Sequence, residues 1–204
     1  MGRDSHLPSL SRRAYRMGMA IATESRYWLP DDLDTLPEDG NRYECIDGVL
    51  LVTPSPNGPH QSVVIPLAYL LHGYLRGSGV GRVVSAPADV TFEKRHLVEP
   101  DLFVIRSTSP LQQRTAMEAL LLVIEILSPS TARRDRIVKR ALYQRAGIPE
   151  YWLVDTDART IERWRPSDER PEILSETLRW DPPGAPAPLD IDLPALFEES
   201  LGPV

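Results

Sequence analysis

The stretch Leu121-Leu122-Val123-Ile124-Glu125-Ile126-Leu127-Ser128-Pro129-Ser130-Thr131 decides how this chain folds. Its first seven residues are aliphatic except for Glu125. A run of that kind is a strand covered on both faces, as in the interior of a sheet sandwiched between other layers. Ser128 to Thr131 then breaks the strand and supplies hydroxyls suited to cap a helix. That helix is expected from about Arg133 to Ala146, ending at Gly147, where a left-handed cap costs glycine nothing. Tyr151 to Val154 is the next strand, and Thr160 to Arg165 returns along it across Asp155-Thr156-Asp157-Ala158.

Upstream, Leu102 to Ile105, Val90 to Glu93 and Arg82 to Ser85 read as strands divided by turns. Before them, Val63, Val64, Leu67, Leu70, Leu71, Tyr74 and Leu75 recur at helical spacing. This helix is expected from His60 to Gly77-Ser78-Gly79, with Pro66 inside it as a point where a backbone bond is lost. Pro54 to Pro59 reads as a loop, and Arg42 to Thr53 as a hairpin turning at Asp47-Gly48. Order begins near Trp28, where Pro30, Asp31 and Asp32 open a short helical turn. A proline-rich stretch, Asp181 to Pro188, leads into a last helix near Leu193–Glu198. The fold class is α/β, a mixed β-sheet flanked by helices. One domain over residues 28–200 is expected, preceded by a flexible tail of residues 1–27, a size that suits a single core.

The formal charge is −6, which argues against tight non-specific binding of nucleic acid over the whole surface, since such binding rests on neutralised phosphates. A local basic face is not excluded. Cys45 is the only cysteine, so no disulfide forms within the chain. No apolar run is long enough to cross a membrane. A reducing cytoplasm is the expected location.

Glu125 carries the argument from fold to chemistry. A carboxylate inside an apolar strand must be compensated, because an unpaired buried charge is very costly. An ion pair with an arginine, or an edge position facing water, would do this. The sharper alternative is that Glu125 and Asp101, which opens the neighbouring strand after Pro100, converge on Mg²⁺. Such ions prefer carboxylate and carbonyl oxygens and retain several waters, one of which, made more acidic, could attack a phosphodiester. The following helix holds Arg133, Arg134, Arg136, Lys139, Arg140 and Arg145 against a single acid, Asp135. That is either a solvated face or a grip on backbone phosphates, with Arg133 and Arg136 as candidates. Lys139 stands four residues after Asp135 and shares a face with Tyr143, so it can be held in place and orient a water. Glu44 is either an exposed strand residue or a third acid. His60 is either a helix-start cap or a phosphate contact or proton carrier, and Asp89 shapes a turn.

Arg42-Tyr43-Glu44-Cys45-Ile46-Asp47-Gly48, Pro54-Ser55-Pro56 and His60-Gln61 resemble the opening of the Uma-type restriction endonucleases of bacteria. Pro100-Asp101-Leu102 resembles their second motif. Glu125 to Thr131, Asp135, Lys139, Tyr143 and Ala146 to Asp155 complete the likeness, which spans roughly residues 28 to 200. The resemblance implies the PD-(D/E)xK restriction-endonuclease-like fold, with the Asp and Glu binding Mg²⁺ (or Mn²⁺) beside the Ile126 carbonyl. In that superfamily a lysine two places after the Glu assists the water, and here that place holds Leu127. The lysine role therefore passes to Lys139, and Glu44 matches the acid that precedes the Asp. The resemblance thus implies a metal-dependent endonuclease that cuts DNA, and because many nucleases cut both strands by pairing two sites across a two-fold, a homodimer is expected. The alternative is a non-catalytic member that uses the same fold for binding or assembly.

Overall fold

The computed structural model describes residues 26–54, 58–110 and 112–203. The expected tail of residues 1–27 falls almost wholly outside them. The elements follow in the order α1 (Pro30–Leu33), β1 (Arg42–Ile46), β2 (Val49–Thr53), α2 (Gly58–Ser78), β3 (Gly81–Ser85), β4 (Asp89–Phe92), β5 (His96–Val98) and β6 (Leu102–Arg106). Then come β7 (Arg114–Ala116), β8 (Leu120–Ile126), α3 (Ala132–Arg134), a π-helical turn (Asp135–Lys139) and α4 (Arg140–Arg145). The chain closes with β9 (Glu150–Asp155), β10 (Thr160–Trp164), β11 (Glu172–Leu174), β12 (Thr177–Trp180), β13 (Leu189–Asp192) and α5 (Leu193–Leu201).

The main sheet has six strands in the order β11-β10-β9-β8-β6-β3. Only β8 and β9 run parallel in it, because only they are joined by a helical crossover, α3–α4; the other pairs are antiparallel. All seven residues of β8 are buried, as its unbroken aliphatic run requires. From Leu122 onwards the side chains alternate between two cores; Leu121 shares the first with Leu122, where the register with β6 shifts. Leu122, Ile124 and Ile126 join Leu102 and Val104 of β6, the apolar side of α2, and α5 on one face. Leu120, Val123 and Leu127 join Phe103, Ile105, Leu142 and Tyr143 on the other. Each fully buried leucine or valine contributes about 1.5–3 kcal/mol, so both layers are strongly held to the sheet.

That alternation fixes the site. Asp101 precedes Leu102, and Glu125 sits between Ile124 and Ile126. Leu102 and Ile124 are register partners on the first face, so their neighbours Asp101 and Glu125 both point to the second. There a five-stranded sheet, β2-β1-β5-β4-β7, and the α3–α4 helix form the other wall. The flanking layer is therefore a helix plus a second sheet rather than helices alone. Its strands β5 and β7 have three residues each, too short to leave a period in the sequence.

Three local expectations meet the structure in detail. The helix expected from His60 starts at Gly58, so Gly58 and Pro59 belong to its first turn. Proline suits a first turn, where its missing N–H has no intrahelical partner to lose. Pro66 lies within an uninterrupted helix, its lost bond offset by the core contacts of Val63, Leu67 and Leu71 on the inner side. The hairpin turns as expected at Asp47 (φ 49°) and Gly48 (φ 80°), both left-handed.

Candidate functional site

A cleft of about 210 Å³ opens where the C-terminal end of β8 meets the start of β6. It is lined by Asp101, Glu125 and Ile126, by Arg42 and Thr53 of the hairpin, by His60 of α2, and by Ser128 to Thr131, Arg134 and Asp135 of the loop and helix beyond β8. Asp101 is almost completely buried. Its Oδ1 accepts from Arg42 at 3.0 Å, and its Oδ2 accepts from His60 Nε2 at 2.9 Å and from the Ile126 amide at 2.8 Å. Burial alone would raise the Asp101 pKa. The His60 bond and charge, the Arg42 guanidinium and the Ile126 amide overcome it and hold the carboxyl at about 2.

Glu125 stands in the opposite condition. Its Oε1 accepts from Lys139 Nζ at 2.7 Å and from the Tyr143 hydroxyl at 3.2 Å. Burial nevertheless pushes it up to about 8, against the pull of Lys139, with Asp101, Asp135 and Glu44 adding like-charge repulsion. Several carboxylates also share one ammonium, so Lys139 does not offset that burial. Lys139 has no exposed surface, and its Nζ lies 2.7 Å from Glu44 Oε1, 2.7 Å from Glu125 Oε1 and 4.0 Å from Asp135 Oδ1. Glu44 wins most of that charge. It also accepts from the Glu99 amide at 3.0 Å and faces Arg134 at 3.6 Å, so its pKa is lowered despite complete burial. Desolvation would lower the lysine's own pKa, but the surrounding carboxylates raise it above the ordinary lysine value.

The helix reaches this position through its π turn. Asp135, Lys139, Leu142 and Tyr143 are buried, whereas Ile137 and Val138 are turned outward. A π turn places one extra residue in the helical repeat. It brings both Lys139 and Tyr143 onto Glu125. Arg134, at the end of α3, donates to Thr53 Oγ1 at 2.7 Å and lies 3.5 Å from Asp135, tying the helix start to the hairpin.

Of the residues singled out in the sequence, Asp101, Glu125, Ile126 and His60 line the cleft. Lys139, Tyr143 and Glu44 lie directly behind Glu125. Glu44 is not an exposed strand residue: β1 lies between β2 and β5, and its carboxylate has no exposed surface. Glu125 is compensated by a lysine rather than by an arginine or by water. Arg136 is turned away, paired with Asp155 at 2.9 Å and Glu162 at 2.6 Å. Arg133 is exposed beside the cleft-lining Arg134. Asp89 begins β4, 3.8 Å from Arg114. Sequence reasoning missed Arg42 as the clamp on Asp101. Its only signal was a basic residue heading the first strand of a hairpin. It also gave no role to Arg134, one basic residue among six, or to Thr53.

The model of the Uma2 family, described as "Putative restriction endonuclease", matches residues 30–194. Among solved structures, the chain is similar to one titled a putative nuclease belonging to DUF820 from Anabaena variabilis ATCC 29413. The TM-score is 0.71 at 22% identity, over 85% of this chain and 99% of that one, which establishes the likeness of fold. No curated protein matches the sequence. No helix among the described residues is long and apolar enough to cross a membrane.

Proposed function

The chain belongs to the Uma2 family of restriction-endonuclease-like proteins, and from that premise we propose that it is a Mg²⁺- or Mn²⁺-dependent endonuclease that hydrolyses DNA phosphodiester bonds. The observation that carries the reading is the convergence of Asp101 and Glu125 on one face at the mouth of one cleft, with a fully buried lysine against Glu125.

Among the described residues, no group of three or more His, Cys, Asp and Glu is arranged to hold a metal ion. The donor set suits a hard ion that needs no such cage. Mg²⁺ is held by one or two carboxylates and completes its sphere with water and substrate phosphate. Asp101 and Glu125 would hold it, and Ile126 adds a carbonyl on the correct edge. In an extended strand a residue's N–H and C=O leave on the same side, and the Ile126 N–H already points to Asp101. Bound there, the ion would lower the pKa of a coordinated water and neutralise charge building on the phosphate.

The chain's own groups have separate tasks. Arg42, His60 and the Ile126 amide fix the Asp101 carboxylate in one orientation. Lys139 and Tyr143 do the same for Glu125, and Lys139 places a positive charge behind the carboxylate where a water would be activated. Glu44 holds Lys139 in position. Two arginines, Arg42 and Arg134, face three acids, Asp101, Glu125 and Asp135, across the cleft. Burial favours the neutral form of Glu125, so a divalent cation drawn into the cleft would both ionise it and add positive charge towards a phosphate, and DNA binding there should be strengthened by the metal. Arg133, exposed next to it, would contact a neighbouring backbone phosphate.

A second reading has its own support. Lys139 is sealed from solvent between two carboxylates, an arrangement that also serves as a purely structural ion pair in a binding or assembly module. Nicking of supercoiled plasmid separates the two. Wild-type protein with Mg²⁺ or Mn²⁺ should convert plasmid to open circles. Asp101→Asn and Glu125→Gln should lose at least about 100-fold of that rate, and EDTA should abolish it. Equal rates in all three proteins would remove the catalytic reading and leave the module.

A further inference from the structure

We propose that the outer face of α2 is the contact through which two copies of this chain form a weak, two-fold symmetric dimer; the inference does not depend on the reaction proposed above. The helix spans Gly58–Ser78 and buries Val63, Leu67, Leu71 and Leu75 against the main sheet. The opposite side of such a helix is normally charged. Here there is no Asp, Glu, Lys or Arg from Gly58 to Leu75, although a quarter of the chain's residues are charged. Ile65 is 72% exposed, Tyr69 is 77% exposed, and Leu70 beside them is 37% exposed. Among the described residues no other helix or strand exposes three large apolar side chains.

Two features favour a second copy over a different partner. The first is charge. The chain carries a net charge of −6, so two copies repel wherever their charged surfaces meet. This face is the part of the helical surface where a residue can lie opposite itself without like charges meeting, as a two-fold contact demands. The second is relief. Gly73 and Gly77 follow Tyr69 at four-residue spacing, and a Cβ placed on either would meet nothing within 4 Å. With the two-fold axis at Tyr69 and the helices antiparallel, Ile65 of one copy faces Gly73 of the other. A large side chain then meets a gap, and Arg76 faces Ser62 rather than another arginine.

The size of the face sets the strength. A helix of this length is about 30 Å long and ~10 Å wide, which provides a few hundred Å². A standard interface uses about 800 Å² per partner, so a contact of this size falls in the weak, transient class.

Sedimentation equilibrium of the full chain, from about 1 to 500 μM, reads this directly. The mass should rise from that of one 22.9 kDa chain towards twice that value. Ile65→Glu or Tyr69→Glu should weaken association by roughly 100-fold or more, by setting like charges together. Ile65 and Tyr69 touch solvent, so both variants should keep the wild-type thermal midpoint, and Ile137→Glu should leave association unchanged. Mixing Tyr69→Glu with Tyr69→Lys should restore a dimer containing one of each, which only a contact across Tyr69 predicts. A wild-type chain that stays monomeric at the highest concentration would overturn the proposal. So would a dimer unaffected by either glutamate, or the failure of the mixed pair to associate. Binding of the wild-type face to lipid vesicles instead of to itself would also overturn it.

Discussion

Replacing Lys139 with Met should destabilise the protein by about 3–5 kcal/mol, the usual cost of removing one partner from a buried ion pair. Methionine nearly matches the lysine stem in volume, so an empty cavity contributes little and the loss reports charge. Lys139 is the ammonium shared at 2.7 Å by Glu44 and Glu125, both buried. Glu125 can answer its loss by keeping a proton, since burial already favours its neutral form. Glu44 has less freedom. It would retain only the Glu99 amide at 3.0 Å and Arg134 at 3.6 Å, and Arg134 is shared with Asp135. For a protein of this length each kcal/mol moves the thermal midpoint by about 2–4 °C, so a fall of roughly 6–20 °C is expected. Urea denaturation followed by circular dichroism measures the free energy. The same experiment on Glu44→Gln and on the double variant completes a cycle. Removing both charges leaves fewer unmatched groups than removing one, so the double variant should be more stable than the sum of the singles by at least about 1 kcal/mol. A loss under about 1 kcal/mol for Lys139→Met, or strict additivity, would refute the account of Lys139 as a shared counter-ion.

Inserting an alanine after Arg140, within regular α-helix, should rotate the rest of α4 by about 100°, parting Tyr143 from the Glu125 that Lys139 still reaches. A lowered thermal midpoint is expected; an unchanged one would mean that the phase of this helix positions nothing. His96 is fully buried, with its Nδ1 accepting from the Asp47 amide at 3.2 Å. Burial lowers its pKa from 6.5, with Arg145 and Arg95 adding to that and Asp47 and Glu93 opposing it. The unfolded chain then takes up the proton first as pH falls below 6.5, so His96 subtracts stability on the acid side of that value and nothing above it. Thermal midpoints of His96→Gln and wild type, compared from about pH 8 to pH 5, should show a flatter acid limb in the variant. Arg133→Ala should reduce the salt dependence of metal-supported DNA binding by about one phosphate, whereas Arg136→Ala, whose guanidinium is held by Asp155 and Glu162, should leave it unchanged. Equal effects of the two would mean that Arg136 leaves its carboxylates for DNA.

The strands that carry Asp101 and Glu125 were legible because their apolar neighbours are unbroken and alternation then puts both acids on one side. Lys139 was legible through its spacing to Asp135 and Tyr143, which a π turn in the same stretch does not disturb at the level of sequence. The layer that covers the other side of those acids was not legible. Glu44 in Arg-Tyr-Glu-Cys-Ile has the look of a half-exposed strand residue, and only the pairing of β1 with β5, far along the chain, seals it. Arg42 was hidden for the same reason, since its partner Asp101 is brought to it by the packing of one sheet on another. The short strands β5, β7 and β11 to β13 have three or four residues each, less than the repeat needed to reveal a period.

The central claim is that Asp101 and Glu125 close on one divalent ion, and anomalous scattering from crystals grown with Mn²⁺ tests it most directly. The account predicts a single strong peak in the cleft, coordinated by a carboxylate oxygen from each residue, and its disappearance in Asp101→Asn. A peak elsewhere, or an empty cleft at millimolar Mn²⁺ with Lys139 still seated on Glu125, would contradict it.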